Sequence, residues 1–192
     1  PDTAGVAPER DYGAKEIKTP HKKYAEAEME VGLPMFIIGT KVMHEERGEA
    51  VLKQSITADL ALEYLAGASS PLYARLYADG TINGEFSPEY ETVAGASFTM
   101  ISGESKDPER VKAELRKEIQ RILAGGIDES LFSRLKKAEI GAELRGLNSF
   151  DNLCYNMARG SFFGYDAMQT VDLTMSVTSD DILEFIREYM RP

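Results

Sequence analysis

Residues 55–86 narrow what this chain can fold into more than any other stretch. Ile56, Leu60 and Tyr64 recur at helical spacing with Leu62 and Leu65 beside them, so one broad face of a helix is apolar and has to be buried. Gly67-Ala68-Ser69-Ser70 interrupts the pattern. Pro71 then suits the first turn of a second helix, where its missing N–H would have had no intrahelical partner. Leu72, Tyr73, Leu76 and Tyr77 form a compact aromatic-aliphatic face that stops at the turn signal Asp79-Gly80. Such a helix pair needs a sheet to lie on, and the flanking segments have to supply it.

They do so in two blocks. Ala25, Ala27, Met29 and Val31 alternate with Glu26, Glu28 and Glu30, a period of two that predicts a half-buried strand with an acidic outer face. Met35–Met43 reads as a second, better covered strand. Beyond Gly80, the β-branched residues, glycines and Pro88 between Thr81 and Gly103 predict two or three more strands joined by short turns. The chain then becomes helical. Asp107 caps and Pro108 opens a helix carrying Val111, Leu115, Ile119, Ile122 and Leu123, which ends at Gly125-Gly126. Asp128 caps a helix with Leu131, Phe132, Leu135, Ala138 and Ala142 inward. Another starts at Asn148-Ser149 with Leu153, Met157 and Ala158 inward, and a last one starts at Thr178 with Ile182, Phe185, Ile186 and Tyr189. Strands and helices segregated along the chain predict an α+β fold, an antiparallel or mixed sheet with helices on one face. Residues 1–20, punctuated by Pro1, Pro8 and Pro20, read as a linker or extended arm, and 21–192 as one domain.

Charge and composition exclude several roles. With 22 basic and 32 acidic residues the net charge is -10, which opposes a nucleic-acid partner, because that affinity rests on neutralising phosphates. The longest apolar run, 33–38, contains Pro34 and is too short to span a bilayer, and no charged-then-apolar leader precedes it. The expectation is a soluble cytoplasmic molecule without a membrane partner. The absence of an initiator methionine before Pro1 suggests a piece of something longer. Cys154 is the only cysteine, so no intrachain disulfide can form. Its neighbours Leu153, Tyr155 and Met157 predict a buried small hydrophobe rather than a nucleophile.

No catalytic constellation emerges from the residues alone. His21 and His44 are the only histidines, too far apart in sequence for a helical pair of zinc ligands. Glu45-Glu46 and Asp180-Asp181 sit where helices begin and are explained by the helix dipole. Phosphate-binding glycine loops and a nucleophile elbow are absent from the sequence.

An ordered set of segments does resemble a known family. Leu33-Pro-Met-Phe-Ile-Ile-Gly-Thr-Lys41, Leu65-Ala-Gly-Ala-Ser-Ser-Pro-Leu-Tyr-Ala-Arg-Leu-Tyr77, Ile101-Ser-Gly-Glu-Ser-Lys-Asp-Pro108, Ile140-Gly-Ala-Glu-Leu-Arg145 and Asn148-Ser-Phe150 look like the insulinase-type (M16) metallopeptidases. The likeness is to the C-terminal, inactive-type half of a bacterial member and runs from about residue 20 to 190. It implies two related α+β halves closing on a peptide chamber. Zinc would be held by His-x-x-Glu-His in the N-terminal half or a partner M16 subunit, and no cofactor is implied in this chain. Peptide is the implied substrate, and the isolated half is expected to self-associate, a homodimer being one form of that.

In many relatives this half lends an arginine and a tyrosine to the substrate, just after the small-residue break. Here Tyr77 stands where the arginine would be and no tyrosine follows Gly80, while Arg75 points from a different side of the helix. Oxyanion donors contribute roughly 3 to 4 kcal/mol each, so their replacement implies an inactive protein or a second one that supplies them. The residues expected nearest substrate are Arg75, Tyr77, Asn83 and Phe86. Two functions follow: a non-catalytic half completing a peptide chamber, or a scaffold subunit that keeps the fold without proteolysis.

Overall fold

The computed structural model describes residues 19–43, 47–93 and 96–190. Among these the order is β1 (Met35–Val42), α1 (Glu49–Ala66), α2 (Pro71–Ala78), β2 (Ser87–Val93), β3 (Ala96–Glu104), α3 (Pro108–Gly125), α4 (Glu129–Gly146), α5 (Phe150–Phe163), α6 (Thr170–Ser176) and α7 (Ser179–Tyr189), with a single 3-10 turn at Ala167–Gln169 before α6. The fold is α+β. The strands form one antiparallel sheet in the order β1-β3-β2.

Register decides which residues meet the helices. Ile38, Ile101 and Pro88 lie in one row, Thr40, Thr99 and Tyr90 in the next, and Val42, Ser97 and Thr92 in the third. Ile101, Thr99, Tyr90, Val42, Ser97 and Thr92 are buried, so this is the face that α1, α3 and α7 cover. Ser97 Oγ donates to Thr92 Oγ1 at 3.1 Å and satisfies two hydroxyls inside the layer. The opposite face carries Ile37, Gly39, Lys41, Phe98 and Met100, which with Pro20 and with Glu188 and Tyr189 of α7 line a cavity of about 460 Å³.

α1 is buried on nearly all sides because it runs through the middle of the helix layer, touching β2, α7, α6 and α4. Ile56, Leu60, Leu62, Tyr64 and Leu65 join the connected core with Leu72 and Leu76 of α2, Val111 to Ile122 of α3 and Ile182 to Ile186 of α7. The expected caps are in place. Ser70 accepts from Tyr73 N with Pro71 behind it, Asp107 accepts from Arg110 N, Asp128 accepts from Ser130 N and Leu131 N, and Thr178 with Asp181 forms a reciprocal capping box. No helix among the described residues is long and apolar enough to cross a membrane.

Several expectations need correction. Residues 24–31 form no strand and pair with none among the described residues, and every one of them is exposed. Alternation gives a segment the right pattern for a sheet edge but cannot supply the neighbour that the edge requires. β1 is an edge strand with Met35 and Ile37 exposed, so it is less covered than predicted. Residues 81–86 form a loop rather than a strand. On α4, Ala138 and Ala142 are exposed; on α5, Met157 and Ala158 are exposed and Leu153 is half-buried. Cys154 is exposed as well. Residues 1–18 of the arm placed over 1–20, and His44-Glu45-Glu46, lie outside the described residues.

Candidate functional site

The region singled out from the sequence is built where α2 ends and the chain returns to β2. Asp79 closes α2, and Gly80, at φ +72, takes the left-handed turn that a side chain would oppose. Asp79 Oδ1 accepts from Thr81 N at 3.0 Å and Thr81 Oγ1 at 2.5 Å, and Arg110 of α3 holds Oδ2. The Thr81 hydroxyl, foremost, and Arg110 hold the Asp79 carboxyl below its ordinary pKa. Ser105 Oγ donates to Thr81 O at 2.6 Å, which ties the loop to the end of β3.

Beyond that anchor, Asn83 Nδ2 donates to Glu104 Oε2 at 2.7 Å while its Oδ1 accepts from Glu85 N at 3.0 Å. The loop is thereby pinned at both ends and laid against β3. A Cβ at Gly103 would come within 3.0 Å of Phe86 Cα, so the close approach of loop and strand depends on glycine there. Four rings step outward from this contact. Phe36 lies 6.3 Å from Phe86, Phe86 lies 6.0 Å from Tyr73, and Tyr73 stacks on Tyr77 at 5.6 Å and 10°. The series begins in the core, where Phe86 is buried, and ends at Tyr77, 55% exposed.

Of the four residues expected near substrate, the fold thus brings Tyr77, Asn83 and Phe86 into one structure and turns Arg75 away. Arg75 Nη2 meets Glu118 Oε2 at 2.9 Å, and Arg121 grips Glu118 Oε1 from the other side with Nε at 3.0 Å and Nη2 at 2.6 Å. Glu118 is only 3% exposed. Burial pushes its carboxyl up, but the hydrogen bonds from Arg121 and Arg75 outweigh that and hold it below the ordinary value. Arg75 is in that sense a brace between α2 and α3. Sequence reasoning missed Tyr73 and Glu104 as members of the site. The i,i+4 spacing of Tyr73 and Tyr77 carried a signal for the first, whereas the Asn83–Glu104 contact spans 21 residues and left none.

A catalytic zinc ion needs three protein ligands and an open position. His21 is exposed at a bend, and among the described residues no group of three or more His, Cys, Asp and Glu side chains could hold a metal. The donors among the described residues do not fit zinc, and no chemical step is routed through a metal there.

A second feature lies on the far side of α1, where α1, α4 and α5 surround a cavity of about 230 Å³ lined by Asp59, Glu139, Glu143, Asn156 and Arg159. Asp59 has an open side toward solvent, yet burial of its carboxyl by the surrounding protein, then Glu139, outweighs Arg159 and pushes it up to about 7. Burial, then Glu139, also raises Glu63. Glu143 is raised by burial despite the 2.8 Å hydrogen bond from Thr174, and its Oε2 is buried without a partner.

Comparison with known proteins places this geometry. Residues 8–139 match the family described as Peptidase M16 inactive domain. The uncharacterized zinc protease YmfH of Bacillus subtilis (strain 168) is 28% identical over 176 residues, which is 91% of this chain and 41% of that protein. An M16-like structure from Alicyclobacillus acidocaldarius superposes with a TM-score of 0.79 at 21% identity, over 84% of this chain and 39% of that one. The peptidase M16 inactive domain from Pseudomonas fluorescens gives 0.66 at 9% identity, over 81% and 37%. The chain therefore spans about two fifths of the length of these relatives.

Proposed function

Because the chain belongs to the Peptidase M16 inactive-domain family, we propose that it is the non-catalytic half of a zinc-dependent peptidase and completes the chamber in which the peptide is held. The match to the inactive-domain description over 8–139 carries this reading. The relation to a zinc protease more than twice as long supports it. Zinc and the attacking water belong to the other half, and this half binds and orients peptide.

The α2–β2 loop suits that task. Its backbone is fixed through Asp79, Thr81, Asn83 and Ser105, so a peptide meeting it encounters a preorganised wall. Tyr77 presents a ring and a hydroxyl at the outer end of the aromatic series, where the family resemblance puts an arginine. A neutral phenol hydrogen-bonds a carbonyl but adds no positive charge, which lowers the help available to a developing oxyanion. That substitution favours the second reading, a scaffold subunit without a role in proteolysis. Peptide cleavage by the full-length polypeptide would eliminate it.

Photo-cross-linking tests the wall directly. With a photoreactive amino acid in place of Tyr77 in the full-length polypeptide, a bound peptide substrate is expected to form an adduct. The same probe in place of Lys117, exposed on α3, is expected to form none. No adduct at 77, or equal adducts at both positions, overturns the assignment.

A further inference from the structure

α5 is turned inside out. Phe150, Cys154, Ala158 and Phe162 follow one another at four-residue steps and line a single stripe, flanked by Tyr155 and Met157. All six are exposed: Phe150 by 77%, Phe162 by 75%, Tyr155 by 66% and Met157 by 54%. Leu144 and Leu147, in the last turn of α4 and just beyond it, extend the apolar surface. The inward side of α5 carries the polar residues instead. Asn156 and Arg159 line the acidic cavity with Asp59, Glu139 and Glu143, and Gly160 is the helix's one buried residue, seated so close to Tyr165 that a Cβ would come within 2.6 Å of its carbonyl oxygen.

Apolar packing of this helix on its own domain is confined to half-buried Leu153 and to half-buried Phe163, stacked on Tyr165 at 6.4 Å, yet the helix is firmly placed. Ser149 caps its start, Gly164 at φ +79 ends it, Gly48 N donates to Phe163 O at 2.9 Å, and Arg47 Nη2 donates to Phe162 O at 2.7 Å. A helix fixed by its backbone with its large apolar side chains facing outward is presenting a surface.

We infer that the outer face of α5, with Leu144 and Leu147, is where the remaining half of the same polypeptide packs. This rests on the reading of the chain as one half of an M16 protein. The occupant follows from length and from chemistry. Relatives extend over more than twice this chain, so a body of comparable size is available within one polypeptide. On α5 the face holds one charged residue, Asp151, and exposed Arg145 stands between Leu144 and Leu147, so the face calls for a largely apolar counterpart rather than a peptide of either charge. The Tyr77 region is a separate surface, which leaves the peptide site free when α5 is covered.

Cys154, in the middle of the stripe, is a built-in reporter. Its alkylation by iodoacetamide is followed by mass spectrometry in the 192-residue chain and in the full-length polypeptide, with a circular dichroism melt confirming that the shorter chain is folded. Labelling in the full-length polypeptide is expected to be at least about tenfold slower, at all protein concentrations. The double substitution Phe150→Glu with Phe162→Glu is expected to restore fast labelling there and to leave the melt of the shorter chain unchanged. Equal rates in the two proteins, or protection that grows with the concentration of the full-length polypeptide and so reveals a second copy, overturns the inference. Peptide cleavage is read on the same samples. Cleavage without protection removes the docking assignment alone, and protection without cleavage removes the chamber reading alone.

Discussion

Asp59 is the residue whose surroundings make the plainest physical demand. It faces Glu63 on its own helix, Glu139 and Glu143 on α4, Glu91 on β2 and the cation Arg159 of α5. Because its folded-state pKa is raised to about 7, the fold favours the protonated form. The stability linked to this proton is fully present below the ordinary carboxylate range and is lost as pH rises through about 7. Asp59→Asn removes the titration. Its melting temperature relative to the parent is expected to rise progressively from about pH 4 to about pH 7 and to stay level above that. An offset that is the same at both ends would show that the carboxyl is not held protonated. None of this was legible in the sequence, since Asp59 and Glu139 belong to helices 80 positions apart and only their meeting in space makes a cluster.

Among the elements, those whose partners lie close in sequence were the legible ones. The α1–α2 pair, its Ser70-Pro71 restart and the Asp107, Asp128 and Thr178 caps follow from residues within a turn or two of each other. Burial of α1 is deep enough to measure. Leu60 is 3% exposed in the connected core, and Leu60→Ala is expected to lower the unfolding free energy by about 2 to 5 kcal/mol in denaturant titration. A loss below 1 kcal/mol would place the side chain at the surface or show a site that collapses freely. Segments 24–31 and 150–163 misled for a common reason. Periodicity identifies which residues share a face, but not whether this chain owns the body that covers it. The alternating strand pattern found no neighbour, and α5 turned its apolar stripe away from the core. The candidate site divides in the same way. Tyr77 and Asn83 were named through the family resemblance, whereas the pairing of Arg75 with Glu118 needed α3 to be set against α2.

At the scale of the molecule, an α+β layer with one outward apolar helix belongs to a family of inactive domains and is related to proteins more than twice its length. Its α2–β2 loop is pinned by hydrogen bonds, and among the described residues no group of side chains could hold a metal. Its proposed contribution is positional, which makes it separable from the chemistry. The most direct measurement is peptide cleavage by this chain, by the remaining half, and by the two combined, each with its zinc content determined. Cleavage and stoichiometric zinc are expected as follows: zinc in the remaining half with or without this chain, and cleavage only when both are present. Cleavage or stoichiometric zinc in this chain alone, or equal cleavage by the remaining half without it, would contradict the account.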